Sequence, residues 1–246
     1  MTEQAPADHR RVDDRAVEYP RIVPVGDSAV LIEFGSGIDP VVNARVYTFA
    51  GRIEAAGNPA VVELVPTYRS LLVQYNPREN NYAEMSSFLN DLVSGLEDSP
   101  GSAAEPTVIE LPVVYGGEDG PDIEAVAEHA GLSTEEVIEI HSGTGYRVYM
   151  IGFAPGFPYL GGLDERIACP RLKTPRTRVP AGSVGIAESQ TGVYPNAGPG
   201  GWRLIGRTAV KLFDPHLTAT DATQSPSLIS PGSEVRFVPV KSHANV

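Results

Sequence analysis

Residues able to bind an anion are concentrated in one stretch of the chain, residues 149–212. Five basic residues fall within the thirteen positions from Arg166 to Arg178, and three more follow by position 211. Between residues 166 and 211 there are eight basic side chains and one acid, so this stretch carries +7 while the whole chain carries −12. A cationic patch on an acidic protein favours a pocket for a small anion. The alternative is that these cations only form ion pairs with the surrounding carboxylates.

The same stretch is rich in aromatic residues, glycine and proline. Phe153, Phe157 and Tyr159 stand among glycines and prolines, which helices and central strands do not tolerate. We therefore expect an irregular loop whose rings line the pocket. The candidate residues for binding a small anionic substrate are Phe153, Phe157, Tyr159, Arg171, Arg176, Arg178, Gln190, Tyr194 and Arg207.

Two arginines are expected to be the main contacts of the anion. Arg176 and Arg178 alternate, so they share one face if this piece is extended. An arginine holds a carboxylate or phosphate through two parallel hydrogen bonds. Gln190 and Tyr194 can donate further hydrogen bonds.

Two titratable residues are the candidate catalytic groups. Glu188 is the one acid inside the cationic stretch, where it can orient an arginine or act as a base. His141 precedes the strand that leads into the aromatic loop, so it is a candidate proton carrier at the pocket edge. The alternative for His141 is a favourable charge at the end of a helix.

Several catalytic signatures are absent from the sequence. It has no phosphate-binding loop of the G-x-x-x-x-G-K-[ST] type, and AGSVG at 181–185 begins with Ala181 where a nucleophile elbow needs glycine. The histidines match no metal-ligand spacing, so we predict no metal site. No Met-Lys dipeptide occurs, so there is no biotin attachment site. The chain therefore has anion-binding chemistry without a recognisable complete catalytic set.

Composition limits the class of protein. The acidic balance argues against binding nucleic acid or an anionic membrane surface. No apolar run approaches the roughly 20 residues that span a bilayer. The polar start of the chain does not resemble a signal peptide, and the single cysteine, Cys169, excludes an internal disulfide. We expect a cytoplasmic protein.

The order of predicted elements favours an α+β protein in two parts. Residues 19–97 show strands and helices in the order ββ-α-ββ-α, as expected for a sheet with helices on one face. Residues 107–240 show two short helices and many short strands, one of them at Thr208–Phe213, which suggests a small barrel or a sandwich. We predict a disordered tail at 1–18, a linker at 98–106 and a second tail at 241–246.

Seven sequence segments, spread over roughly residues 20–240, carry a resemblance to a known family. The segments are PVGDSAVLIEF (24–34), ELVPTYRSLLVQY (63–75), PVVYGGEDGPDIEAVA (112–127), GFAPGFPYLGGL (152–163), PRLKTPRTRVPAGSVGIA (170–187), QTGVYP (190–195) and PGGWRLIGRT (199–208). They resemble the B subunit of bacterial 5-oxoprolinase. This family is also called allophanate hydrolase subunit 1, or carboxyltransferase domain C and D, and it includes a sporulation histidine-kinase inhibitor.

The resemblance implies a fold and a reaction that the residues alone do not specify. It implies a cyclophilin-like β-barrel for residues 107–240. It also implies one subunit of a heteromeric complex that hydrolyses 5-oxo-L-proline to L-glutamate with ATP and Mg, acting together with the C subunit, while a separate A subunit takes part in the same conversion. Such a subunit is expected to be inactive when it is alone. Two alternatives within the family are a histidine-kinase inhibitor and half of a carboxyltransferase or allophanate-hydrolase complex of urea metabolism.

Overall fold

The computed structural model describes residues 18–94, 96, 107–217 and 225–245. The predicted N-terminal tail, apart from Glu18, and the linker 98–106 lie outside these residues. The described part of the chain is a mixed α+β protein, as predicted, with a four-stranded sheet, a closed barrel and a two-stranded sheet. None of its helices is long and apolar enough to cross a membrane.

The first part of the chain forms the predicted ββ-α-ββ-α arrangement. Its strands pair antiparallel in the order β1-β2-β4-β3. Alternate residues of β2 and β4 are buried, which is the pattern of a sheet with one covered face. Its elements are β1 (Arg21–Val25), β2 (Ala29–Glu33), α1 (Pro40–Ala56), β3 (Val61–Pro66), β4 (Ser70–Tyr75) and α2 (Tyr82–Ser94).

Helix α1 begins and ends where its sequence predicts. The Asp39 side chain accepts hydrogen bonds from the backbone N–H of Val41 (2.7 Å) and Val42 (3.0 Å), and Pro40 occupies the first turn. Gly57 ends the helix in the left-handed conformation, with φ +62°. Phe49 and Ile53 then turn towards the sheet and join one apolar core with its buried residues.

The second part of the chain forms a seven-stranded closed barrel. The strand order is β10-β7-β6-β13-β5-β12-β9, and pairing of β9 with β10 closes it. All neighbours are antiparallel except β5 and β13. The elements are β5 (Val108–Tyr115), α3 (Ile123–Ala130), α4 (Thr134–Ser142), β6 (Gly145–Ile151), β7 (Pro158–Gly161), β8 (Arg176–Val179), β9 (Ser183–Ala187), β10 (Gln190–Val193), β11 (Gly198–Gly200), β12 (Arg203–Arg207) and β13 (Glu234–Pro239).

Two expectations about this part are wrong. The aromatic loop was expected to contain no central strand, yet Pro158–Gly161 forms β7, a strand of the barrel paired with β6 and β10. Proline is tolerated there because it is the first residue of the strand, and Gly161 is required because an added Cβ would lie 2.3 Å from the Tyr149 ring. The predicted strand Thr208–Phe213 forms only an isolated bridge, Phe213 with Ser227.

The predicted tail 241–246 also contains ordered structure. Residues His243–Asn245 form a short 3-10 turn. The His243 imidazole lies 3.0 Å from an Asp119 carboxylate oxygen, and Asp119 also pairs with Arg207 at 3.4 Å. The end of the described chain is therefore held against the start of α3. The domain limits themselves remain predictions.

Candidate functional site

The aromatic loop after β6 is held in a strained turn. The backbone N–H of Ala154 donates to the carbonyl of Gly152 at 2.7 Å, which places Phe153 at the centre of a γ-turn with φ +66°. This is the rarer γ-turn form, and a phenylalanine seldom adopts it. The Gly152 N–H and the Phe157 carbonyl close the loop at 3.0 Å. As a result, the Phe153 side chain is 67% exposed at the surface.

Behind Phe153 lies a cavity with aromatic walls. Its volume is about 240 Å³. The buried ring of Phe157 is its centre and makes edge-to-face contacts with Phe153, Tyr159, Tyr194 and Trp202, at centroid separations of 5.1–5.4 Å. Such contacts orient each ring. The lining residues are Phe153, Phe157, Tyr159, Arg171, Pro175, Tyr194, Pro199, Gly200, Gly201 and Trp202.

Two glycines allow these rings to pack closely. A Cβ at Gly192 on β10 would lie 3.0 Å from both Phe157 Cζ and Trp202 Cζ3, and one at Gly200 would lie 2.4 Å from the Tyr194 hydroxyl. The contact at Gly200 is too short for any side chain, and the contacts at Gly192 would force the two rings to shift by a few tenths of an ångström. Glycine is therefore required at position 200 and favours the close packing of the rings at position 192.

Arg171 is the basic group of this cavity. Its guanidinium carbon lies 5.9 Å from the centre of the Trp202 ring, within cation–π range. Among the residues that the structure describes, no carboxylate forms an ion pair with it. Its positive charge is consequently available to a ligand.

The two phenols of the cavity are hydrogen-bond donors at neutral pH. Burial raises the pKa of both Tyr159 and Tyr194, against a smaller opposing effect of the Arg171 charge. Both hydroxyls therefore keep their protons. One free cation, two phenol donors and apolar walls can bind a small, flat anion.

Four other cations of the stretch form ion pairs, as the alternative interpretation predicted. Arg207 pairs with Asp119, and it does not line the cavity. Arg178 is exposed and lies outside the cavity lining. The pairs are Arg166–Asp164 at 2.6 Å, Arg176–Asp122 at 2.8 Å, Arg207–Asp119 at 3.4 Å and Lys211–Asp214 at 2.7 Å.

Arg176 joins three elements instead of facing the cavity. Its Nη2 donates to Asp122 Oδ1 at 2.8 Å, and Asp122 Oδ2 accepts the backbone N–H of Leu204 at 2.7 Å. The Asp122 side chain is 10% exposed. This carboxylate thus connects β8, the start of α3 and β12, and the expected role of Arg176 as a main ligand contact is not supported by its position.

His141 lies in the core of the barrel, so its expected position at the pocket edge is wrong. It is fully buried, with the Tyr115 hydroxyl 2.8 Å from Nδ1 and the Thr191 hydroxyl 2.9 Å from Nε2, and its ring stacks on Phe237 at 4.6 Å. Burial lowers the pKa of His141 to about 3. The imidazole is therefore neutral at physiological pH and joins buried hydroxyls.

The buried imidazole predicts a pH-dependent stability. The unfolded chain binds a proton at His141 near pH 6.5, whereas the folded chain does so only near pH 3. Folding is therefore destabilised as the pH falls below 6.5, by about 1.4 kcal/mol per pH unit, or about 2 kcal/mol at pH 5. Urea unfolding at pH 7, 6 and 5 should show this slope. His141→Gln, which cannot titrate, should have a slope smaller by that amount, and equal slopes would refute the prediction.

The remaining predicted residues, Glu188 and Gln190, do not line the cavity. Glu188 occupies the turn between β9 and β10 at φ +52°, with its side chain exposed and its backbone paired to Cys169. Gln190 donates a hydrogen bond from its side chain to the Tyr68 hydroxyl. The cavity therefore unites five predicted residues, namely Phe153, Phe157, Tyr159, Arg171 and Tyr194.

The sequence interpretation missed Trp202 and two prolines of the lining, Pro175 and Pro199. A signal was present, because Trp202 is the one tryptophan of the chain and follows the glycine-rich PGG segment. Aromatic residues beside glycines often mark a close approach of backbone to a ligand. This signal does not indicate which aromatic rings contact one another in the folded chain.

A second, larger cavity has the opposite character. It has a volume of about 460 Å³ and is lined by Glu136, Glu139 and the Arg166–Asp164 pair. Its carboxylates disfavour an anion. Within the described residues, no group of three or more His, Cys, Asp or Glu side chains could hold a metal ion. The aromatic cavity is therefore the better candidate site.

The described part of the chain is thus an α+β protein with a closed barrel and a cationic, aromatic cavity. Its residues 20–223 match the family described as carboxyltransferase domain, subdomain C and D, and the chain belongs to this family. It is 45% identical to the B subunit of 5-oxoprolinase from Bacillus subtilis strain 168, over 89% of this chain and 92% of the relative. It is 43% identical to the B subunit of 5-oxoprolinase from Escherichia coli O157:H7, over 88% of this chain and 94% of the relative.

The fold also occurs in solved structures. A conserved uncharacterized protein of Pyrococcus horikoshii is 50% identical, with a TM-score of 0.52 over 91% of this chain and 99% of that chain. The protein TTHA0988 is 36% identical with a TM-score of 0.73, over 88% of this chain and 40% of that chain. Urea amidolyase of Saccharomyces cerevisiae is a more distant relative, 23% identical over 90% of this chain and 13% of its own length.

Proposed function

We propose that this protein is the B subunit of an ATP-dependent 5-oxoprolinase, which converts 5-oxo-L-proline to L-glutamate. The observation that carries the proposal is the unpaired Arg171 guanidinium at an aromatic cavity, in a chain that is 43–45% identical to two proteins of that name. 5-Oxoproline is a small, five-membered lactam with one carboxylate. It therefore offers one anionic group and one compact ring.

The cavity suits each part of this substrate. Arg171 would bind the carboxylate through a charge-assisted pair. The rings of Phe157 and Trp202, which meet edge to face, would form an apolar wall beside the lactam ring. The Tyr159 or Tyr194 phenol would donate to the lactam oxygen, which is the atom that must be activated before water can open the ring.

The cavity lacks groups for the rest of the reaction. Phosphorylation of an amide oxygen by ATP needs cations and usually Mg held by carboxylates. The lining contains no carboxylate, and Arg171 is its one charged side chain among the described residues. These residues do not fit an ATP–Mg site, so we assign ATP to another part of the complex. The C subunit would complete the active site, the A subunit would finish ring opening, and the B subunit on its own would be inactive.

Three further features belong to this proposal. The barrel region would form a cyclophilin-like domain at 107–240, preceded by an α+β domain at 19–97. The complex would be cytoplasmic. Its substrate would be a small anion, and neither nucleic acid nor a membrane would be a partner, in keeping with the acidic charge of −12.

A second candidate function is one half of a carboxyltransferase in a urea-related complex. The match to the carboxyltransferase family and the 23% identity to urea amidolyase favour it. Because the sequence has no Met-Lys dipeptide, any biotin would have to arrive on a partner. The two candidate functions differ in their substrate, which is 5-oxoproline for the first and urea for the alternative.

Reconstitution tests the proposed function. The A, B and C subunits are purified separately and combined, and the ATP-dependent loss of 5-oxoproline is measured. We expect turnover only when all three are present, and co-elution of the B and C subunits in size exclusion at micromolar concentration. Turnover in a mixture that lacks only the B subunit, or separate elution of the B and C subunits, would contradict the proposal. Carboxylation of urea by this protein with a biotin-carrying partner would support the alternative.

A further inference from the structure

A β-bulge in the barrel exposes one carbonyl to the first part of the chain. In the pairing of β6 with β7, Val148 faces Leu160 and Met150 faces Tyr159, so Tyr149 is an extra residue. Its carbonyl accepts hydrogen bonds from Asn43 Nδ2 at 3.1 Å and from the Tyr47 hydroxyl at 2.9 Å. Helix α1 is thereby tied to the strand that leads into the aromatic loop.

The same asparagine holds the turn between β3 and β4. Asn43 is fully buried, and its Nδ2 also lies 3.1 Å from the Thr67 carbonyl and 3.3 Å from the Tyr68 carbonyl. Thr67 and Ser70 close the turn with a backbone hydrogen bond of 2.8 Å. The backbone of Tyr68 is therefore fixed against the barrel.

The side chain of Tyr68 extends this contact to the wall of the cavity. Its ring makes an edge-to-face contact with Tyr159 at 5.9 Å and a tilted contact with Tyr149 at 5.6 Å. Its hydroxyl accepts the hydrogen bond from Gln190 on β10. Burial raises the pKa of Tyr68 to about 12, so the phenol is neutral at physiological pH. Tyr68 itself does not line the cavity.

We infer that Tyr68 is a positioning residue for Tyr159, and that the first part of the chain thereby sets the shape of the aromatic cavity. Tyr159 contacts Phe157 at 5.1 Å on the cavity side and Tyr68 on the other side. The hydrogen bond from Gln190 fixes the Tyr68 ring, and the ring limits how far Tyr159 can move away from Phe157. The inference rests on the proposed anion site for its effect on 5-oxoproline binding.

A pair of matched variants tests the inference in the full-length protein. Tyr68→Phe removes the hydroxyl that accepts the hydrogen bond from Gln190. Tyr47→Phe removes a hydroxyl of helix α1 that donates its hydrogen bond to the Tyr149 carbonyl. Trp202, the one tryptophan, lies in the cavity and reports on it by fluorescence. Iodide and acrylamide quenching of the purified protein without ligand are measured first. A calorimetric titration of the reconstituted complex with 5-oxoproline follows.

We expect Tyr68→Phe to change the ratio of iodide to acrylamide quenching and to weaken 5-oxoproline binding by about threefold to tenfold, the effect of one lost hydrogen bond. Tyr47→Phe leaves the Asn43 hydrogen bond to the same carbonyl in place and does not alter Tyr68, so it should change both measurements much less. Gln190→Met removes the same bond from the other side, so it should reproduce the change, and the double variant should add little to it. If Tyr68→Phe fails to fold, Gln190→Met alone decides.

Three results would overturn the inference. These are unchanged quenching in both Tyr68→Phe and Gln190→Met, an equal change in Tyr47→Phe, or fully additive effects in the double variant. The quenching ratio is measured without substrate, so it does not depend on the proposed reaction. A changed ratio with no binding of 5-oxoproline to the wild-type complex would refute the proposed substrate and leave the positioning role supported.

Discussion

Replacing Arg171 with methionine is expected to weaken 5-oxoproline binding by about tenfold to a hundredfold, because a charge-assisted pair with the carboxylate is worth about 1.5–3 kcal/mol. Methionine keeps an unbranched stem over Trp202 and removes the guanidinium with its charge and its N–H donors. Arg171 has no carboxylate partner among the described residues, so the free energy of unfolding should change by less than about 1 kcal/mol. Isothermal titration calorimetry of the reconstituted complex with 5-oxoproline measures the affinity, and urea unfolding of the purified protein measures the stability.

Arg178→Met is the matched control for this change. It removes the same charge from the same cationic stretch, at an exposed side chain outside the cavity lining. We expect its affinity for 5-oxoproline to be within about twofold of the wild type, since an exposed charge at a distance is screened. Equal losses in the two variants would mean that the general positive field, and not Arg171, attracts the anion.

The second large effect is expected on stability. Arg176→Met should lower the free energy of unfolding by about 3 kcal/mol, because it leaves the carboxylate of Asp122 buried without its cation. This loss is at the low end of the range expected when a buried ion pair is broken, because the Arg176 side chain is 29% exposed. For a chain of this length, it corresponds to a fall in Tm of about 6–12 °C. Calorimetry of the purified protein measures this shift.

A second substitution separates this explanation from a ligand role. Adding Asp122→Asn to Arg176→Met removes the unpaired charge, so part of the lost stability should return. The amide oxygen of asparagine can still accept the Leu204 N–H. An unchanged Tm in Arg176→Met together with lost 5-oxoproline binding would instead support the ligand contact that the sequence suggested.

The sequence predicts those features that depend on neighbouring residues. The start of α1 follows from Asp39 and Pro40, and the start of α4 follows from Ser133 and Glu136, which form a complete capping box. The ββ-α-ββ-α order of residues 19–97 was also predicted. Four of the five rings of the cavity were also predicted, because they come from short segments rich in glycine, whereas Trp202 was missed.

The role of each charged residue was less predictable, because it depends on contacts that are distant in sequence. Arg176 finds Asp122 fifty-four positions away, and His141 meets Thr191 fifty positions away. Both contacts exist only once the barrel has closed. Strand β7 was missed for a related reason. Gly161 is required because the ring of Tyr149 on the neighbouring strand lies against its Cα. Composition alone predicts a loop at such a glycine.

The position of β13 in the barrel has a consequence for synthesis on the ribosome. This strand lies between β5 and β6, although it begins more than eighty residues after the end of β6. While the chain emerges from the ribosome, one edge of β5 and one edge of β6 stay unpaired until β13 has been synthesised. Unpaired strand edges invite wrong partners. The four-stranded sheet needs no later segment for its own pairing, so it can form first and give the nascent chain a folded start.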